Sequence, residues 1–191
     1  LIHYAATSAV GFFLSLFLQY IKDLGPRDAV FVLMSWPVTM ALISPLAGKL
    51  SDRYNPGVLA SAGMAVSAAG LIMLCFLNEE TSVMFIIAIL LIMGAGFSLF
   101  SSPNSNAIMS SVEKRQLGNA SGMLGTMRNV GQTLSMAIAL MLLALYMGQE
   151  KISPGNYPQL MSSMKSGFIV FSVLCFAGIF ASLARNKSLR K

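Results

Sequence analysis

Arg128 is the one charged residue set in the interior of an apolar run of this sequence. A guanidinium held at mid-bilayer costs about 2.5–3.5 kcal/mol on insertion scales, so it demands a partner, a water-filled cavity or a route to the surface. It lies in LGNASGMLGTMRNVGQTLSM, residues 117–136, beside Gly118, Gly122, Gly125 and Gly131. Few other residues could do chemistry. His3 is the only histidine, and at the very start of the chain it reads as an interfacial residue rather than a proton carrier. Cys75 and Cys175 fall in apolar runs, where they read as small hydrophobes rather than a disulfide or a metal site. All seven acidic residues lie in connections or at the ends of apolar runs. A membrane enzyme needs a Ser–His pair, metal-ligand spacing or paired carboxylates. None of these is present, so no catalytic residue, metal or cofactor is expected.

The elements that must position Arg128 follow from composition. Of 191 residues, 55% are hydrophobic and only 10% charged, against about 25% in a soluble domain. A surface so poor in charge cannot face water, and the chain is expected to be all-α and integral to a membrane. The net charge of +6 is a topology signal rather than a nucleic-acid patch. Leu1 opens directly on an apolar run without a basic n-region or an A-x-A site, so no signal peptide is read there. The chain reads as a piece of something longer.

Six apolar segments are long enough to span, at approximately 1–21, 29–48, 58–77, 82–102, 117–147 and 164–183. They make one six-helix bundle over 1–184, followed by a basic tail at 185–191. The second and fourth connections and the tail hold Lys49, Arg53, Lys114, Arg115, Arg185, Lys187, Arg190 and Lys191. The other connections hold only Lys22, Arg27, Lys151 and Lys165. The positive-inside rule then places the first group, and both chain ends, in the cytoplasm.

Helical spacing sorts the polar residues. Tyr4, Ser8, Gly11, Ser15 and Gln19 share one face of the first span, a candidate lining for a water-accessible path. Ala60, Gly63, Ser67 and Gly70 form a small-residue face suited to tight packing. In the second span Pro37 and Pro45 should each kink the helix. The fourth span brings Ser98 and Ser101 to Pro103 and Asn104, further candidates for the lining. Gly125, Arg128, Gln132 and Ser135 share a face of the fifth span too polar for lipid. Counting about 20 residues back from Met147 reaches Arg128, near the cytoplasmic edge. That face is expected to be a gate or an inter-half contact, with Asn104, Asn106 or an absent half supplying the partner of Arg128.

The loop after the second span reads SPLAGKLSDRYNPG, in which Gly48, Leu50, Asp52 and Arg53 match G-x-L-x-D-R. This resembles the loop signature of the major facilitator superfamily, at its usual place in a six-helix half. Physically, Asp52 could cap the third helix and pair with an arginine, and Gly48 could let helices approach closely. The family often continues with Gly and two basic residues, whereas Asn55, Pro56 and Gly57 stand here. The run from Gly94 through Pro103-Asn104 to the Gly-rich span with Arg128 resembles the fourteen-span drug:proton antiporter branch. The resemblance covers nearly the whole chain. It implies the C-terminal half of that fold, a 3+3 repeat of helices. In that architecture the first and fourth spans line the cavity, the second and fifth meet the missing N-terminal half, and the third and sixth face lipid.

The function so implied is half of a secondary transporter exporting small amphipaths by alternating access, with a proton gradient as the energy source. Its partners would be the missing transmembrane half, a small-molecule substrate and the bilayer of the cell membrane, with no nucleic acid. Without an intramembrane carboxylate in this half, the coupling acid is expected in the other. A transporter of another solute, or a six-span scaffold or dimer of halves, stands as the alternative.

Overall fold

The computed structural model describes residues 1–148 and 150–188, with side chains described to residue 182. It contains six helices long and apolar enough to cross a membrane. They are α1 (Ile2–Ile21), α2 (Pro26–Arg53), α3 (Pro56–Cys75), α4 (Val83–Ser110), α5 (Leu117–Met147) and α6 (Tyr157–Ser188). Among the described residues there is no strand. The fold class is therefore the all-helical membrane bundle that the apolar segments imply. The basic tail expected at 185–191 lies outside the described side chains.

Local chemistry sets the helix ends. Asn55 caps α3 by accepting the Gly57 N–H at 2.9 Å, and Pro56 follows at the first helical position, where its missing N–H costs nothing. Asp52, one residue before the end of α2, is exposed and is not the cap. The capping role expected of it belongs to Asn55. Replacing Asn55 with alanine should cost about 1 kcal/mol, read as a lowered Tm of the purified full-length protein. Gly148 ends α5 at φ 61, a conformation glycine adopts without strain.

The two prolines of α2 behave differently. Pro37 offers no N–H to the Leu33 carbonyl, and the helix is interrupted just there, between Leu33 and Ser35. Pro45 sits inside an unbroken helical stretch. Pro103 is likewise absorbed within α4, which runs on to Ser110.

The tightest seam joins α3 to α4. Ala60, Gly63, Ser67 and Gly70 are all buried. A Cβ on Gly63 would stand 2.5 Å from the Phe100 N, and one on Gly96 would stand 2.7 Å from the Ser67 N. The backbones meet directly, as a small-residue face permits. A second seam joins α4 to α2, where a Cβ on Gly94 would stand 2.8 Å from the Trp36 carbonyl.

The core lies between α1, α3, α4 and α6. Phe13 and Phe17 of α1 and Phe168 and Phe171 of α6 are fully buried, with Phe13 edge-on to Phe168 at 5.7 Å between centroids. In contrast, only 11% of the most apolar stretch of α2 and 28% of that of α5 is buried, against 56% for α1. On α2, Val30, Met34, Val38, Leu42 and Leu46 form an exposed ridge at spacings of four.

Candidate functional site

Helix α5 is 31 residues long, about 46 Å at 1.5 Å per residue, against a hydrocarbon core of about 30 Å. Its buried residues, Gly131, Ser135, Ala139, Leu142 and Met147, all lie in its second part. One side of the front of α5 is open. Gly118, Gly122 and Gly125 have nothing within 4 Å of where a Cβ would be.

Arg128 sits at the boundary between these two parts. Its Cζ lies 5.2 Å from the centre of the Tyr4 ring, a cation–π contact between α5 and α1. Its Nε is buried and makes no hydrogen bond. The phenol of Tyr4 in turn shares a hydrogen bond with the Ser101 hydroxyl of α4, 3.3 Å away. Tyr4 is thus the residue on which α1, α4 and α5 converge. Asn106, one expected partner of Arg128, instead donates to Ser51 Oγ at 2.9 Å and so ties α4 to α2. Sequence spacing put Tyr4 on a lining face but gave no signal that it would meet Arg128.

Two close approaches fix this geometry. Gly131 lets α5 reach α1, since a Cβ there would stand 2.7 Å from the Leu1 carbonyl and 2.8 Å from Tyr4 Cβ. One turn on, Ser135 Oγ accepts the Ala9 N–H at 2.9 Å, where the helical pattern of α1 breaks at Ser8–Ala9. A side chain inserted into the ladder in this way bends a helix and keeps the freed N–H satisfied. Ser135→Ala would leave that N–H unpaired in a dry site, at about 1–3 kcal/mol, measured as lost thermal stability of the full-length protein. The other two members of that face are apart from the contact, with Gly125 open and Gln132 exposed.

Beside the Arg128–Tyr4 contact is a cavity of about 590 Å³ between α1, α4 and the front of α5. Its walls include Tyr4, Phe100, Asn104, Asn119, Met123 and Met127. The cavity extends from Tyr4 and Met127 to Val112 and Gln116, which flank Lys114 and Arg115 in sequence.

The remaining candidates divide by face. Ser8, Ser15 and Gln19 are half-buried on one side of α1, around a Gly11 with open space beside it. Ser8 donates to the Tyr4 carbonyl and Gln19 to Ser15 Oγ, each at 2.7 Å. Gln19 lies in a π-turn, Phe17–Ile21, closed by the Lys22 N–H on the Phe17 carbonyl. Ser98 is fully buried instead, donating to the carbonyls of Gly94 and Met40, so its hydroxyl serves the α2–α4 seam rather than an open path. Gly48 opposes Ser102 in the same seam, where a Cβ would lie 3.3 Å from the hydroxyl. Leu50, Asp52 and Arg53 border a separate groove of about 550 Å³ along α2, which Leu99 of α4 also lines.

His3 is not interfacial, as its place in the sequence suggested, but 1% exposed. Its ring lies 4.1 Å from Phe100 between centroids, with Nδ1 3.9 Å from Cys175 Sγ and Nε2 without a hydrogen bond. His3 is packed against Phe97 and Phe100 of α4 and Cys175 of α6, which sequence position alone could not reveal. Among the described residues, no three His, Cys, Asp or Glu side chains converge as a metal site would require.

A profile of the Major Facilitator Superfamily matches residues 1–190. Among curated proteins, the chain is 30% identical over 175 residues to "Uncharacterized transporter YebQ" of Escherichia coli (strain K12), covering 92% of this chain and 36% of that protein. It is 29% identical to "Riboflavin transporter RibZ" of Clostridioides difficile (strain 630), over 94% of this chain and 40% of the relative. It is 28% identical to "Multidrug resistance protein Stp" of Mycobacterium tuberculosis (strain CDC 1551 / Oshkosh), over 69% and 24% respectively. The chain spans less than half the length of these relatives.

Proposed function

The chain belongs to the major facilitator superfamily, and we propose that it acts as the C-terminal six-helix half of a transporter that exports small amphipathic compounds by alternating access. The observation that carries this reading is the open side of the bundle. Helix α1 leaves its Ser8–Gln19 face half-buried, α2 exposes an unbroken apolar ridge, and the Gly118–Gly122–Gly125 side of α5 faces open space. A second six-helix half laid against α2 and α5 would cover the apolar ridge and enclose the polar face of α1 as one wall of a central path.

In this reading the Lys49, Arg53, Lys114 and Arg115 end faces the cytoplasm of a multi-pass cell-membrane protein. Arg128 and Tyr4 then stand on the cytoplasmic side, where parting α5 from α1 would open the path. The Gly48–Arg53 loop would make its charge contacts with the other half. Energy would come from a proton gradient, with the titrating carboxylate outside this half.

Efflux tests the reading. The full-length protein in proteoliposomes should drive ethidium across the membrane when a pH gradient is imposed, and the current should vanish when the gradient is collapsed. A relative named as a riboflavin transporter favours a second reading, transport of a different solute. Gradient-independent uptake of riboflavin with no ethidium movement would select it.

A further inference from the structure

We propose that the cavity between α1, α4 and the front of α5 binds planar aromatic compounds through a hydrogen-bonding edge, such as an amino, imide or carboxamide group, and not through formal charge. This rests on the reading of the chain as half of a transporter, and it names the class of compound that the half selects. Ethidium, a flat ring carrying amino groups and a delocalised charge, belongs to that class.

Three observations carry it. First, the cavity has the size of a small-molecule site, about 590 Å³, and none of the described side chains that line it is charged. Arg128 stays outside that wall, with its Cζ 5.2 Å from the centre of the Tyr4 ring and its Nε buried. A compact ammonium or carboxylate would lose hydration in the cavity without gaining a counter-charge. A neutral ring, or one that spreads its charge over many atoms, loses far less.

Second, the apolar part of the wall suits a flat ring. Phe100, Asn104 and Ile108 line the cavity from α4 at spacings of four, and Asn119, Met123 and Met127 do so from α5. Phe100 is held against His3, with ring centroids 4.1 Å apart. An aromatic guest between the two stripes would stack on Phe100 and meet the polarizable sulfurs of the methionines. The unbranched methionine side chains adapt to rings of different outline.

Third, the wall carries amides from several elements. Asn104 belongs to α4, Gln116 to the turn before α5 and Asn119 to the first turn of α5. Each amide offers both donors and an acceptor, so together they can match either kind of group on the edge of a guest. Asn106 shows the other use of such a side chain, since it donates to Ser51 Oγ at 2.9 Å and ties α4 to α2, whereas Asn104 borders the cavity. A guest without a matching edge would dehydrate the amides and leave them unpaired, which is the source of the selectivity.

Three probes built on one phenanthridine ring separate edge from charge. Ethidium has both the amino groups and the charge, its parent without the N-ethyl group keeps only the amino groups, and its deaminated analogue keeps only the charge. Ethidium binding to the full-length protein in phosphatidylcholine nanodiscs is followed by fluorescence, with empty nanodiscs subtracted. The other two are measured by displacement, in buffer basic enough to keep the parent neutral. The parent should bind within about fivefold of ethidium, and the deaminated analogue about tenfold more weakly, the scale of one or two lost hydrogen bonds. Asn104→Leu combined with Asn119→Leu should bring ethidium and the deaminated analogue to within about threefold of each other. Ala120→Trp, which fills the cavity, should weaken ethidium about tenfold. Binding of the deaminated analogue to the wild type as tightly as ethidium would overturn the proposal, as would a preference that survives the double substitution. A parent weaker than ethidium by more than about fivefold would make charge the determinant, and an affinity unchanged by Ala120→Trp would put the guest elsewhere; either result overturns it. Binding is read without a gradient, so intact discrimination with no gradient-driven efflux would count against the transporter reading and not against this site.

Discussion

Arg128→Ala in the full-length protein is expected to lower efflux by about tenfold or more while membrane insertion and Tm stay near the wild-type values. The two effects separate because of what Arg128 touches. Its described contact is the face of the Tyr4 ring at 5.2 Å, an interaction worth about 0.5–2 kcal/mol. Against that small loss, removing a charge from a span relieves part of an insertion cost of about 2.5–3.5 kcal/mol. Local stability should therefore change little. What disappears is a charged group beside the cavity whose Nε has no partner of its own. Tyr4→Leu offers a companion test, since it removes the contact with Arg128 and the hydrogen bond to Ser101 together. Efflux rate per inserted molecule, measured for both variants in proteoliposomes, checks the expectation. An Arg128→Ala protein that transports normally would remove the gate from this account.

Gly96→Leu should have the largest effect on stability. A Cβ at Gly96 would stand 2.7 Å from both the N and the Oγ of Ser67 and 2.9 Å from the Gly63 carbonyl. Two of those three atoms are backbone and cannot rotate away. Overpacking a core costs about 1–3 kcal/mol where side chains can adjust, and more where they cannot. The expected outcome is a sharply lowered Tm, or loss of the monodisperse peak in detergent size-exclusion chromatography. Gly155→Ala serves as the control, because Gly155 has open space around its Cβ position and should shift stability by no more than about 0.5 kcal/mol.

Much of the frame was legible in the sequence, because span length and loop charge are local properties. The six helices and the tight α3 face follow from apolar length and from Gly63, Ser67 and Gly70 at helical spacing. Contacts between helices were not legible. Spacing placed Ser98 on a plausible lining face, but only the packing shows that this face of α4 meets Met40 of α2. His3 carries no sequence mark of burial, because what buries it is Phe97 and Phe100 of α4 and Cys175 of α6. Asp52 was the obvious cap by motif, yet Asn55 stands next to the turn and does the work. Tyr4 shows the limit most plainly, since its meeting with Arg128 depends on how Gly131 and Ser135 seat α5 on α1.

The central claim is that this half lines a path opened alternately at its two ends, and site-directed labelling tests it most directly. In a cysteine-free full-length protein, Gln19→Cys reports the end near the α1–α2 turn and Asn119→Cys the end near Lys114 and Arg115. Labelling of each by a membrane-impermeant maleimide is timed with and without a transported compound under a pH gradient. The two rates should move in opposite directions, one site opening as the other closes. Rates that stay constant, or that rise and fall together, would contradict it.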